Sequence, residues 1–94
     1  METIGVTDLY EASFLFVNDC IFTGVECVPM AGMLGCRILF KNDEELIEAQ
    51  ERFRSRDATV NLYKFRQAYN MVNSYIHQAK KSYEIAQKRA RNLL

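Results

Sequence analysis

The chain has no long apolar run, only one histidine and one proline, and few glycines and cysteines. No stretch approaches the roughly 20 apolar residues that a membrane-spanning helix needs. The opening METIGVTDLYEASFLF has no basic leader and is interrupted by acids, so it does not fit a secretory signal peptide. We therefore expect a soluble, cytoplasmic protein.

Metal and redox chemistry have few side chains to use. Cys20, Cys27 and Cys36 form no C-x-x-C motif, and His77 lies far from them in the chain. A four-ligand zinc site cannot be assembled within one chain from cysteine and histidine at these spacings. We expect the thiols to act as small buried apolar groups, with a redox pair or a structural disulfide of Cys27 and Cys36 as the alternative.

Catalytic motifs are also missing. The four glycines make neither a P-loop nor a dinucleotide fingerprint, and the serines lie in no nucleophile-elbow context. The carboxylates of Glu44, Glu48 and Glu51 are spaced along one predicted helix, where ordinary solvated charges explain them. We predict that the chain is not an enzyme and needs no cofactor.

Length and charge indicate one domain with two unlike halves. The 94 residues, 49% of them hydrophobic, suffice for a single globular domain over 1–94. Residues 1–57 hold eleven acids and five bases, a balance of minus six, and residues 58–94 hold seven bases and one acid, a balance of plus six. This asymmetry indicates either a basic arm or two halves that attract each other, within or between chains.

The first half predicts a helix, a β-hairpin and a second helix. TDLYEASFLFVND reads as a helix with Thr7 as N-cap, apolar around most of its girth. A β-hairpin follows, with two short strands, CIFTGVECV and GCRILFK, on either side of the loop PMAGML. The predicted register pairs residues whose numbers sum to 63. NDEELIEAQERF is an acidic helix capped by Asn42 or Asp43. The strand register predicts the pairs Val25–Ile38, Glu26–Arg37 and Cys27–Cys36, with Cys36, Ile38 and Phe40 facing the core.

The longest predicted element begins at an Asn61 cap and continues to the end of the chain. Its apolar or small residues alternate in steps of three and four, which favours packing along one side of the helix. We call this set the apolar stripe; it comprises Leu62, Phe65, Tyr69, Val72, Ile76, Ala79, Tyr83, Ala86, Ala90 and Leu93. A helix of about 31 residues is roughly 45 Å long, whereas a domain of this size has a radius of gyration of about 12 Å. The helix must therefore extend beyond a compact part at about 4–76.

The helical extension at about 77–94 predicts an oligomer interface, because the chain offers it no further element. The predicted contact residues are Ile76, Ala79, Tyr83, Ala86, Ala90 and Leu93. Large tyrosines and small alanines along one stripe favour an antiparallel or crossed homodimer, and higher oligomers stay open. The acidic second helix is another candidate neighbour for this basic end. The leading hypothesis for function is a non-enzymatic interaction module.

The same extension carries five bases, namely Lys80, Lys81, Lys88, Arg89 and Arg91. Their projection places them mainly away from the apolar stripe, as solubilising charges on a coiled coil would lie. Positive charge alone is enough to contact phosphates. A small nucleic-acid-binding accessory protein is therefore the alternative hypothesis.

The segments TDLYEASFL, RILFKNDEEL and ATVNLYKFRQAYNMVNSY resemble a family of short bacterial and phage domains of unknown function. The resemblance covers roughly residues 7–76, and the usual A-A pair of the first helix is Ala12-Ser13 here. It implies a small α+β domain and brings no activity, cofactor or site residue. The combined prediction is α-β-β-α-α, with a two-stranded antiparallel hairpin and a long C-terminal helix.

Overall fold

Three antiparallel strands and three helices form the computed structural model, which describes residues 2–56 and 58–92. In chain order the elements are β1 (Thr3–Val6), α1 (Leu9–Val17), β2 (Phe22–Met30), β3 (Met33–Lys41), α2 (Glu44–Arg54) and α3 (Leu62–Asn92). The sheet order is β1-β3-β2, with β3 in the centre. The α+β class and the long C-terminal helix are confirmed.

The sequence predicted two strands, whereas the sheet has three; the strand that the prediction missed is β1. Strand β1 pairs with the second half of β3, so that Ile4 lies opposite Phe40 and Val6 lies opposite Ile38. A four-residue strand has too little alternation to be recognised locally, and it is ordered by a partner more than thirty positions away. Gly5 allows this pairing to be close, because a Cβ there would lie 3.1 Å from Cδ of Arg37.

The predicted hairpin register is confirmed along most of its length. Val25–Ile38, Glu26–Arg37 and Cys27–Cys36 are all paired as expected. The register shifts by one between Phe22 and Gly24, where β2 contains a bulge. Since alternate residues face opposite sides of a strand, the extra residue turns Phe22 to the same side as Val25. That side is the core side, because Ile38 and Phe40 are buried there.

The hairpin turn consists of Ala31 and Gly32, with φ angles of 48° and 81°. Positive φ at both central positions is what a type I′ turn requires, and this turn suits the twist of the two strands. Gly32 adopts this conformation freely. Ala31 does so at a cost, because its Cβ crowds the backbone in the left-handed region.

The turn predicts a stabilising substitution. Ala31→Asn should raise the free energy of unfolding by about 0.5–1 kcal/mol, since asparagine tolerates positive φ better than alanine does. Urea denaturation followed by circular dichroism measures the change. Gly32→Ala is the matched control and should be destabilising, because it places a second Cβ in the left-handed region. A lower unfolding midpoint for Ala31→Asn would contradict the assigned turn.

Each helix begins at a polar cap. The predicted cap Asn61 is confirmed, and of the two candidates Asn42 and Asp43 it is Asp43 that caps α2. The side-chain oxygens of Asp43 and Asn61 accept hydrogen bonds from the backbone N–H of Leu46 and of Lys64 at 2.9 and 3.0 Å. The predicted cap Thr7 is wrong by one residue. Asp8 caps α1, with Oδ1 2.8 Å from the backbone nitrogen of Tyr10. Two good capping residues stand side by side, and β1 extending to Val6 delays the turn into the helix.

The core lies between α1, the inner face of the sheet and parts of α2 and α3. Helix α1 is central, as predicted, with four consecutive buried residues from Ala12 to Leu15. The buried hydroxyl of Ser13 donates a hydrogen bond to the carbonyl of Leu9 at 2.7 Å, so that it carries no unpaired polar atom. The remaining core residues are Val6, Cys20, Ile38, Phe40, Leu46, Ala49 and Val72.

The molecule is elongated by α3. The principal extents are 52 × 29 × 23 Å and the radius of gyration is 15.1 Å. A compact domain of this length would have a radius of gyration of about 12 Å. The excess agrees with the sequence-based expectation that the long helix extends past the rest of the fold.

Candidate functional site

The first half of α3 packs inside the chain. Its Val72 is fully buried, and Tyr75 stacks on the ring of Phe22 with centroids 4.9 Å apart. Leu62, the first member of the predicted apolar stripe, is 79% exposed. Ala68 is buried, although it is not a member of the predicted apolar stripe. A helix turns every 3.6 residues, so the contact face drifts away from a 3.5-residue pattern and takes in Ala68 and Tyr75.

Contact between α3 and the rest of the chain continues further than the sequence suggested. Helix α3 lies against both β2 and β3. Ile76 packs on the core cluster, and Ala79 and Tyr83 are half-buried. Lys80 is close enough to Cys36 to affect its pKa. The expected limit of intrachain contact at about residue 77 therefore moves to about Tyr83.

Beyond Tyr83 the described part of the helix is exposed to solvent. Every residue from Glu84 to Asn92 is exposed, and we call this segment, 84–92, the distal arm. Ala86 and Ala90 continue the apolar stripe along it and line a shallow groove with Ser82, Ile85 and Arg89. Leu93, the last predicted interface residue, lies outside the described residues. Six interface positions were predicted, and five of them lie within the described residues. Of these five, Ala86 and Ala90 are exposed.

The five predicted phosphate-contacting residues are all exposed. Because α3 is helical throughout 62–92, each residue turns by about 100° and the side chains can be projected around the axis. Lys80, Lys81, Lys88 and Arg91 fall within an arc of about 100° on that projection. Arg89 lies outside this arc, and Glu84 lies within it. The bases are thus more concentrated on one side than the sequence reading supposed.

The two hairpin thiols lie side by side, with Sγ of Cys27 2.7 Å from Sγ of Cys36. Both thiols are free and half-buried. Burial raises the pKa of Cys36 to about 11, with further increases from its hydrogen bond and charge interaction with Cys27; the ammonium of Lys80 acts in the opposite direction. At neutral pH Cys36 is therefore almost entirely in the thiol form.

Cys20 is a separate, buried thiol. It is 6% exposed, and its Sγ faces the carbonyl oxygen of Glu45 at 3.9 Å. Burial raises its pKa to about 11, and nearby carboxylates, with Asp43 the strongest, add to the increase. The prediction of a small buried apolar group is confirmed for this cysteine.

The other sequence candidates remain ordinary surface groups. Glu44, Glu48 and Glu51 are exposed on α2, and His77 is exposed on α3. Within residues 2–56 and 58–92, no three histidine, cysteine or acidic side chains are grouped so that they could hold a metal ion. No helix in those same ranges has the length and apolar character to cross a membrane.

Comparison with known proteins adds no relative. A scan against protein-family models, a search of curated proteins and a search of solved structures each found no match to this chain.

The end of intrachain contact can be tested by truncation. At a protein concentration low enough to keep the chain monomeric, a chain ending after Gln87 should unfold at nearly the same urea concentration as the full chain, because the described residues that it removes, 88–92, are all exposed. A chain ending after Gln78 also loses half-buried Ala79 and Tyr83. Its free energy of unfolding should fall by about 1–2 kcal/mol, roughly half the value of a fully buried aromatic side chain. Equal stability of the two truncated chains would place the limit before Ala79.

Proposed function

We propose that this chain is a non-enzymatic interaction module that pairs with a second copy of itself through the distal arm. The observation that supports this most directly is the exposed continuation of the apolar stripe at Ala86 and Ala90, on a helix that extends beyond the sheet. The same stripe is already used inside the chain at Val72 and Ile76. A second helix is the simplest element to continue that packing past Tyr83.

Small side chains favour a helix as the occupant. Alanine lets two helix backbones approach closely, and a large residue of one helix fits opposite a small residue of the other. In an antiparallel pair, Tyr83 of one copy would lie near Ala90 of its partner. A two-fold arrangement uses the same surface twice, so one short stripe supplies both sides of the interface.

Charge favours an antiparallel or crossed pair over a parallel one. A parallel, in-register pair would place each base beside the same base of the second copy, whereas an antiparallel or crossed pair offsets the bases from one another. Glu44, Glu45 and Glu48 are exposed on α2, which packs against α1. Among the described residues the ion pair that forms is Glu26–Arg37, which joins β2 to β3. Within that described part of the chain, the carboxylates of α2 are therefore not paired with bases of α3. The acidic face of α2 is complementary in charge to the basic distal arm of a second copy.

Measurement of mass in solution tests the proposed homodimer. Sedimentation velocity over a range of micromolar concentrations should give a dimer for the unmodified chain. Ala86→Glu and Ala90→Glu should each shift it toward monomer by placing a charge in the stripe. Gln78→Glu introduces the same charge on another side of the helix, where the residue is exposed, and should leave the dimer intact. An unmodified chain that stays monomeric at the highest concentration would contradict the proposal.

A nucleic-acid-binding accessory protein is the second candidate function. It is supported by the four bases within one arc of α3, which match the need for positive charge along a phosphate backbone. Binding to generic duplex DNA or RNA should weaken steeply with added salt. It should be lost when Lys80, Lys81, Lys88, Arg89 and Arg91 are all changed to Gln.

A control variant shows whether the position of the positive charge matters, by removing bases near the start of α3 instead. Lys64→Gln with Arg66→Gln removes positive charge from the same helix but leaves the distal arm unchanged. This double variant should bind nearly as well as the unmodified chain. Absence of binding at low salt would contradict this second candidate. The resemblance to short bacterial and phage domains suggests an origin and favours neither function.

A further inference from the structure

We propose that Cys27 and Cys36 form a reversible, intramolecular cross-strand disulfide, which makes the β2–β3 hairpin a redox-sensitive part of the fold. The proposal is independent of the homodimer, because it concerns two thiols of one chain. It depends on their pairing, their direct contact and the type of strand position that they occupy.

The strand register brings the two residues together. Cys27 and Cys36 are directly opposite each other in the ladder, and their sulfur atoms are in contact. On the core side of the sheet they follow the pair Val25–Ile38, in which Ile38 is buried and Val25 is half-buried. A bond between the sulfurs therefore requires no change of register and no movement of one strand along the other.

The turn shows which kind of pair this is. In a two-residue hairpin the flanking residues, here Met30 and Met33, form a hydrogen-bonded pair, and the two kinds of pair alternate from there. Pro29–Leu34 is then a non-hydrogen-bonded pair, which suits proline because it has no N–H to donate. Two steps further, Cys27–Cys36 is again a non-hydrogen-bonded pair.

Non-hydrogen-bonded pairs are the ones in which a disulfide fits. Their Cα atoms are about 4.5 Å apart, against roughly 5.5 Å for hydrogen-bonded pairs, and their side chains are closer. A disulfide needs Cβ atoms about 3.5–4.5 Å apart. It is the closer side chains of a non-hydrogen-bonded pair that approach this separation, while the Cα separation stays within the accepted range of about 4.4 to 6.8 Å. The backbone of β2 and β3 is therefore already placed for the bond.

The oxidant that we assign is a small-molecule disulfide, with oxidised glutathione as the probe. The thiolate of one cysteine attacks a sulfur of the oxidant, forming a mixed disulfide and releasing one small thiol. The thiolate of the other cysteine then attacks the protein sulfur of that mixed disulfide and releases the second small thiol. Two electrons pass to the small molecule, and the two protons lost by the protein end on the released thiols.

The rate of this exchange depends on how readily Cys36 ionises, which burial opposes and Lys80 favours. The attacking species is the thiolate, so the raised pKa of Cys36 makes exchange slow at neutral pH and faster as pH rises. Cys27 and Lys80 are the titratable groups that act on Cys36 from the packed elements. The Glu26–Arg37 ion pair is the next pair along the ladder from Cys27–Cys36 and so points to the opposite face of the sheet. Lys80 is thus a positioning residue that connects α3 to the thiols.

Cys20 does not compete for this bond. It is buried against the carbonyl of Glu45, and its own pKa is raised to about 11. A Cys20→Ser variant should therefore retain the redox reaction in full and simplify its measurement.

The first experiment follows the full chain carrying Cys20→Ser in buffers of reduced and oxidised glutathione. Under oxidising ratios the monomer should lose both titratable thiols and two hydrogen atoms of mass, and dithiothreitol should restore them. The folded-to-unfolded ratio should rise on the order of 10- to 100-fold on oxidation, as expected for closing a short loop. Cys27→Ser and Cys36→Ser, each with Cys20→Ser, should show neither change.

Three results would overturn the proposal. These are thiols that stay free at every glutathione ratio, a stable glutathione adduct on one cysteine, or disulfides that form only between chains. Because Cys20→Ser keeps both hairpin thiols, the test does not depend on whether the Cys27 and Cys36 variants fold.

A second measurement tests the role of Lys80. Lys80→Gln should slow intramolecular oxidation and move the pH dependence of its rate to higher pH, because it removes the cation that favours the Cys36 thiolate. Lys81→Gln is the matched control on the next position, farther from the apolar stripe, and should leave the profile unchanged. Identical profiles for the two variants would contradict the contact between α3 and the thiol pair.

Discussion

The packing of Tyr75 onto the rings of Phe22 and Phe16 is the interaction on which the rest of the structure depends. Phe16 comes from α1 and Phe22 from β2, and both rings also contact Phe40 of β3. The centroids of Tyr75 and Phe22 are 4.9 Å apart, and those of Tyr75 and Phe16 are 6.3 Å apart. One cluster of four rings therefore joins helix α1, the sheet and α3. Such contacts add to the energy of area burial and favour particular ring orientations.

This cluster fixes where α3 lies along the sheet. With Tyr75 held at Phe22, the next turns of the helix pass over the hairpin, so that Lys80 approaches Cys36 and Tyr83 is half-buried. The helix then continues for nine more described residues with no element of the same chain to cover them. The distal arm is a geometric result of a helix about 46 Å long that is anchored near its middle.

The bulge in β2 is what makes the aromatic cluster compatible with the thiol pair. Without the extra residue, Phe22 would face away from the core while Val25 and Cys27 faced toward it. With it, all three lie on the side that α1 and α3 cover. The same hairpin thus carries an aromatic contact at its open end and two adjacent thiols nearer its turn. Each proposed property of the molecule depends on how α3 meets this hairpin.

The sequence by itself determined the local structure. A cap at Asn42 or Asp43, a cap at Asn61 and the alternation in the two strands around PMAGML were enough for two helices, the hairpin and most of its register, because each depends on neighbours in the chain. The long helix followed from its Asn61 cap and from apolar or small residues that alternate in steps of three and four. These features supplied the α+β class and the stripe that includes Ile76, Ala79 and Tyr83.

Only the tertiary structure decided what covers that stripe. Strand β1 exists through its pairing with β3, and the burial of Ala68, Tyr75 and Tyr83 depends on the position at which α3 crosses the sheet. A pattern of apolar residues shows that a face must be covered, but it carries no information about whether the cover comes from the same chain or another. The distance from Tyr75 to the end of the hairpin sets that division, and it places Ala86 and Ala90 outside.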